Sequence, residues 1–355
     1  MKKRYLILEN KEILEGIAFG CDCERVGELV FTTNMCGYIE TLTDPSYYGQ
    51  IVMHTFPQIG NYGIIPSDFE GKSSVFGYVV REYCDEPSNF RCEKTLDAFL
   101  KENGIPGISG IDTRYLTKLT REYGVMNAMI SNSPDADFDL IKNYCVTNAV
   151  PSVSVSEPEI FCPEITPKFS VALIDYGSKK NIINELIKRA CKVTLFPHNV
   201  SAETILDGNF DGVMLSNGPG DPADNVFEIS QIKKLMNKIP IFGICLGHQL
   251  MALANGAKTE KLKYGHRGGN QPVSETNGHR TFISSQNHGY AVTAKSVKNG
   301  IISYVNANDK TVEGIDYKTA FSVQFHPEAC SGPKDTEFLF DKFLCMMKEK
   351  NYAEK

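Results

Sequence analysis

The feature that most narrows what this chain can fold into lies between residues 171 and 254. Short apolar runs ending at glycine, proline or polar clusters alternate there with segments of helical periodicity. Val171-Ala172-Leu173-Ile174 has the length of a buried strand, and Ile182, Ile183, Leu186, Ile187 and Ala190 then share one helical face. Val193-Thr194-Leu195-Phe196 and Gly212-Val213-Met214-Leu215-Ser216 are further strands, and a helical stretch spans 223–237. Pro240-Ile241-Phe242-Gly243-Ile244 leads into a helix through Leu250-Met251-Ala252-Leu253-Ala254. Strands separated by helices need right-handed crossovers, which lay the strands parallel. The expected class is α/β, with a mainly parallel sheet. Ligands of such sheets bind at the carboxyl ends of the strands.

At 355 residues the chain exceeds what one hydrophobic core usually serves. Residues 151–169, PSVSVSEPEIFCPEITPKF, hold four prolines and little periodicity, and read as a linker. The division is then a smaller mixed α/β N-terminal domain over 1–150 and the α/β domain over 170–355. The clearest N-terminal helix runs from Thr113 to Tyr123, with Asp112 as N-cap and Gly124 after its end. Between Thr281 and Glu328 the pattern turns to short alternating strands, among them Ala320–Phe325. An amphipathic helix over Asp335–Lys350 follows, carrying Phe338, Leu339, Phe343, Met346 and Met347.

A net charge of -6 supplies no basic field, so neither nucleic acid nor an anionic membrane surface is an expected partner. No apolar stretch is long enough to span a membrane. Met1-Lys2-Lys3-Arg4 is followed by only Tyr5-Leu6-Ile7-Leu8, too short for a signal peptide. A cytoplasmic chain is expected. The 11 cysteines are odd in number and irregularly spaced, as reduced thiols are. Cys21-Asp22-Cys23 has no second pair to complete a zinc site, and no metal is expected in this chain.

Ile241-Phe242-Gly243-Ile244-Cys245-Leu246-Gly247-His248-Gln249 is a strand, a G-x-C-x-G turn and a helix, the nucleophile-elbow arrangement with cysteine in place of serine. The glycines permit a turn too sharp for side chains, which presents the thiol at its tip, and the helix N-terminus favours thiolate. Seven histidines compete as its base. His248 lies three residues on and His288 sits in Gln286-Asn287-His288-Gly289. His326 ends the strand Ala320–Phe325, where catalytic groups of such sheets gather, and Glu328 could fix its tautomer. Ser216-Asn217-Gly218-Pro219-Gly220-Asp221-Pro222 ends another strand. Its formal G-x-G-x-x-A match lacks the N–H groups a dinucleotide needs because of its prolines, whereas close approach to a carbonyl suits an oxyanion hole. Gly71-Lys72-Ser73 is no P-loop, since Pro66 stands where its first glycine belongs. The basic, glycine-rich KTEKLKYGHRGGN, Lys258–Asn270, reads as a solvated turn.

The elbow, L-S-N-G-P-G-D-P upstream and F-H-P-E downstream together resemble the class I, triad-type glutamine amidotransferase domain. Thr32-Thr33-Asn34-Met35-Cys36-Gly37-Tyr38, Leu42-Thr43-Asp44-Pro45-Ser46-Tyr47, Pro57-Gln58-Ile59-Gly60-Asn61 and Ile111-Asp112-Thr113-Arg114 are similar to the small, glutaminase subunit of carbamoyl phosphate synthetase. The resemblance implies a Cys245, His326, Glu328 triad that hydrolyses glutamine through a γ-glutamyl thioester. It further implies an oxyanion hole from the N–H groups of Gly218 and Leu246, and glutamine contacts at Ser46, Gly220, Gln249, Asn287, Gly289 and Tyr290. Because Ser46 lies in the N-terminal domain, the pocket is expected at the domain interface. No cofactor is implied in this chain: ATP and a divalent metal belong on a large partner subunit, which receives the ammonia. The alternatives are another class I amidotransferase or a stand-alone γ-glutamyl hydrolase, an inactive scaffold subunit, and an elbow-type cysteine peptidase or esterase.

Overall fold

The first three N-terminal strands, Lys3–Leu8, Ile13–Gly20 and Arg25–Thr32, begin a closed barrel in the computed structural model, which describes residues 2–329 and 331–353. Cys330 lies outside the described residues. The chain divides into two units, Met1–Ala149 and Val150–Lys355. Around the barrel of the first unit the order is Lys3–Leu8, Ile13–Gly20, Pro106–Ser109, Gly77–Val79, Gln50–His54, Arg25–Thr32 and Met126–Ser131. Val30, Val52, Tyr78, Leu96 and Leu100 form part of the buried cluster that packs on it. The helix Thr113–Tyr123 forms as its caps predict: the Asp112 carboxylate accepts from the Tyr115 N–H at 2.9 Å, and Gly124 turns away at φ 101°. Ser46 belongs to the turn Pro45–Tyr47, where its N–H donates to the Asp44 carboxylate at 2.9 Å.

The second unit carries the α/β sheet. Cys191–Pro197, Phe169–Asp175, Gly212–Leu215, Ile241–Ile244 and Ala320–Val323 run parallel in that order. Their side chains alternate between two buried clusters. Val171, Leu173, Phe242 and Phe321 face one that includes Leu186 of Lys180–Lys188 and Phe340 and Phe343 of the C-terminal helix, Phe338–Ala353. Ala172, Ile174, Val213 and Leu215 face the other, with Ile232 of Val226–Leu235 and Leu250 of Leu246–Ala254. Apolar residues on both faces of a strand require cover on both, hence the near-continuous apolar runs in the sequence.

Beyond Ala320–Val323 the sheet continues antiparallel, through Val312–Asp316, Thr281–Val292, Thr259–Glu275 and Ile301–Asn306. Three expectations change here. The segment 151–169 is not a bare linker, because Glu159–Phe161 pairs with Val193–Leu195 and adds an antiparallel edge strand. The basic stretch Lys258–Asn270 is not a solvated turn: from Thr259 it belongs to a 17-residue strand. Bulges between Lys261 and His266 and between Gly268 and Gln271 break its alternation, so that His266 and Arg267 are both buried and no period-2 signal survives. The C-terminal helix begins at Phe338, which is exposed, and Phe340 takes the expected core position.

Candidate active site

Cys245 caps the helix Leu246–Ala254 at φ 53°, ψ -102°, a conformation L-residues rarely adopt. Two backbone bonds hold it there: Cys245 N–H donates to Val323 O at 2.9 Å, and Gly247 N–H donates to Ser216 O at 3.0 Å. The flanking glycines serve close packing. A Cβ at Gly243 would meet the Gly247 carbonyl oxygen at 2.8 Å, and one at Gly247 would meet the Leu215 carbonyl oxygen at 2.5 Å. The elbow therefore forms as the motif requires, but the expected exposure does not follow. Cys245 is only 2% accessible, because Thr281–Val292 supplies a carbonyl over it and the thiol donates to Asn287 O at 3.6 Å.

Local chemistry separates the three histidines considered as base. His248 points into the core, where Nδ1 meets Ser322 Oγ at 2.8 Å and burial pushes its pKa down to about 3. His288 is engaged by Tyr290 O at 2.8 Å and Gln286 Oε1 at 3.1 Å, and burial holds it well below the usual range. His326 differs in its partners: Nδ1 bonds the Glu328 carboxylate, Oε1, at 2.6 Å, and its buried Nε2, which like that of His248 makes no hydrogen bond, belongs to a ring under the influence of Cys245. Burial and the Lys179 ammonium both oppose charge on this ring. The Glu328 carboxylate, and Cys245 in a contact outside hydrogen-bond geometry, outweigh them and push it up to about 9. Burial would raise Glu328, but His326 and Lys179 hold it well below the usual carboxylate range.

The sheet brings most of the remaining expected residues around this group. Gly218 approaches the end of Phe169–Asp175 so closely that a Cβ would lie 2.2 Å from Tyr176 O and 2.8 Å from Leu246 Cδ2. Gly220 follows at φ 88°, and the buried Gln249 donates to Tyr290 O at 2.8 Å and to Gln324 Oε1 at 2.9 Å. Asn287, Gly289 and Tyr290 lie on Thr281–Val292, whose Asn287 carbonyl covers the thiol. Ser46 belongs to the other unit and has the local setting given above.

The first unit matches the carbamoyl-phosphate synthase small chain, CPSase domain, over residues 6–130, and the second matches glutamine amidotransferase class-I over 172–346. A carbamoyl phosphate synthase small chain from Oceanobacillus iheyensis is 49% identical over 98% of this chain and 97% of its own length. The chain belongs to the carbamoyl-phosphate synthase small-chain family. A relative of the same description from Clostridium perfringens is 51% identical, over 96% of this chain and 99% of its own, and one from Fusobacterium nucleatum is 49% identical, over 97% and 98%.

Sequence reasoning passed over several groups of this small-chain site. Lys179 is buried, with Nζ 3.5 Å from Glu328 Oε1, and Asn181 donates to the Glu328 carbonyl. Asn217 Oδ1 accepts from Lys179 N–H at 3.1 Å, and Asp175 Oδ1 accepts from Gly177 N–H at 3.0 Å and Ser178 N–H at 2.6 Å. All four come from 175–181 or 216–222, and Asp175 closes a parallel strand. The rule that places ligands at strand ends applied to D-Y-G-S-K-K-N as much as to F-H-P-E. Among the described residues no helix is long and apolar enough to cross a membrane.

Proposed function

We propose that this chain is the glutamine-hydrolysing subunit of a carbamoyl phosphate synthetase. It acts in the cytoplasm and passes ammonia to a large subunit that holds ATP and its divalent metal and makes carbamoyl phosphate from bicarbonate. Cys245 Sγ attacks the side-chain carbonyl carbon of L-glutamine while His326 Nε2 takes the thiol proton. The tetrahedral oxyanion is received by the N–H groups of Gly218 and Leu246, each worth on the order of 3 kcal/mol in such sites. Collapse breaks the C–N bond, and His326 returns the proton to the departing ammonia. Water, deprotonated by the same nitrogen, then hydrolyses the γ-glutamyl thioester to glutamate. Glu328 holds the imidazole in one tautomer and favours its charged form. Gly220, Gln249, Asn287, Gly289, Tyr290 and Ser46 contact the amino-acid substrate in this scheme.

The observation that carries the mechanism is the 2.6 Å bond between His326 and Glu328, which leaves a buried Nε2 without a hydrogen bond on a ring that the elbow cysteine influences directly. His248 also has an unpartnered, buried Nε2, but its Nδ1 meets the Ser322 hydroxyl and not a carboxylate, and both nitrogens of His288 are engaged. The partner assignment is supported by relatives aligned over nearly their whole length, which are named as small chains. In the assembled synthetase, Cys245→Ser should abolish glutamine hydrolysis and leave ammonia-dependent carbamoyl phosphate synthesis intact. Full glutaminase activity in that variant would overturn the mechanism. Purification from native lysate should recover one large ATP-binding subunit in roughly equal amount, and a lone chain with full turnover would defeat the partner assignment.

A further inference from the structure

Three buried side chains outside the triad converge at the antiparallel end of the sheet. His266 on Thr259–Glu275 is the cross-strand partner of His288 on Thr281–Val292, and Glu313 comes from Val312–Asp316. They are 7%, 5% and 0% accessible, and one ligand atom from each lies within 4.8 Å of the others.

The hydrogen bonds around them fix which nitrogens face inward. His266 Nε2 bonds the Asp309 carboxylate at 2.8 Å, and His288 Nδ1 donates to Tyr290 O at 2.8 Å. Each ring thus gives its outer N–H to a carboxylate or a backbone carbonyl, as metal-bound imidazoles do, and turns its second nitrogen inward. Inside, His266 Nδ1 makes no hydrogen bond and stands 3.5 Å from Glu313 Oε1. That is long for a hydrogen bond, but close to the ~3.3 Å edge between donors held about 2.0–2.1 Å from a tetrahedral zinc ion. Gln286 Nε2 donates to Glu313 Oε2 at 3.0 Å, which sets the amide so that its Oε1 faces His288 Nε2 at 3.1 Å. An amide oxygen facing an imidazole nitrogen at this distance is satisfied either by a hydrogen on that nitrogen or by a cation held between the two.

We propose that His266, His288 and Glu313 form a binding site for one divalent first-row ion of the zinc class, with Gln286 Oε1 as fourth donor. The site amends the expectation that this chain holds no metal. Two imidazoles, a carboxylate and an amide oxygen suit such an ion better than calcium or magnesium, which prefer all-oxygen sites. Its role is structural, since it ties three antiparallel strands together one residue from Asn287, whose carbonyl receives the Cys245 thiol. The competing occupant is a proton on His266, held between Asp309 and Glu313.

The test uses the full chain carrying Cys245→Ser, which removes the nucleophilic thiol, stripped with chelator and titrated with Zn2+ or Co2+ alone. The expected result is one equivalent retained after dialysis, a raised Tm, and a tetrahedral cobalt spectrum without sulfur charge-transfer bands. Glu313→Gln and Asp309→Asn should each weaken Zn2+ affinity by at least about tenfold. Asp309 is half exposed, so its variant decides the matter if Glu313→Gln does not fold by circular dichroism. Failure to retain the ion, equal affinity in the folded variants, or cobalt bands arising from thiolate would each overturn the site.

Discussion

Replacing Gly247 by alanine tests whether the elbow is held by contact. In an open helix the change is favourable by about 1 kcal/mol. At 247 the new Cβ would stand 2.5 Å from the Leu215 carbonyl oxygen and 2.8 Å from Leu215 Cβ, well inside the ~3.5 Å of ordinary contact. Leu215 cannot retreat, because it is paired on both sides, with Ile174 and Gly243. Overpacking against fixed backbone belongs at the upper end of the ~1–3 kcal/mol range, leaving a net loss of about 2 kcal/mol after the helical gain. For a unit of this size that is a fall of roughly 4–8 °C in Tm. Activity should suffer more, since the Gly247 N–H anchors the 216–222 loop and a displacement near 1 Å can cost about a hundredfold in rate. Gly256→Ala is the control: φ is +83° with nothing within 4 Å of its Cβ, so it pays roughly 1–2 kcal/mol of backbone strain and should leave the glutaminase rate unchanged. Thermal melts and initial rates at saturating glutamine decide the matter. A Gly247→Ala protein as stable and active as its parent would refute the contact argument.

Glu328→Gln removes the carboxylate charge that helps lift His326 and leaves burial and Lys179 opposed by Cys245 alone, so the imidazolium should lose its proton at lower pH. Because His326 must be neutral to take the thiol proton, the acid limb of the kcat/KM profile should move down, and an unmoved limb would exclude His326 as the group it reports. Ser46→Ala should raise KM for glutamine and leave kcat nearly unchanged if Ser46 binds substrate; equal KM values would remove it from the site. His54 and His248 are held by burial at about 4 and about 3. Their folded values lie below the unfolded one, so the stability of each neutral ring is complete above about pH 6.5 and is lost as pH falls towards 4, by about 1.4 kcal/mol per pH unit per ring. Urea midpoints at pH 7 and pH 5 should show that loss in both units, and equal midpoints would contradict it.

The parallel half of the second unit was legible because its strands are buried on both faces and write themselves as unbroken apolar runs. The G-x-C-x-G turn and F-H-P-E fell at strand ends where the layout predicts them. The barrel was not legible: Gly77–Val79 has three residues and Pro106–Ser109 four, too few to show a period. Cys245 was expected at an exposed tip because its cover comes from Asn287, and no local pattern announces a distant strand laid over an elbow. Lys258–Asn270 misled for a physical reason, since lysines and glycines that suggest a turn here populate a twice-bulged strand. His266 and Arg267 go unnoticed for the same cause: buried neighbours one residue apart fit neither the strand period nor the helical one.

The strained backbone at Cys245 has a consequence for how activity can be lost. Because main-chain bonds to Val323 and Ser216 seat the residue, its sulfur contributes little to the architecture that displays it. Chemistry and scaffold are thus separable at the level of one atom. A chain that exchanged this sulfur for oxygen should retain its shape, and with it any surface offered to a partner, while producing no ammonia. Silent copies of the subunit could then occupy an assembly unnoticed by any assay except turnover.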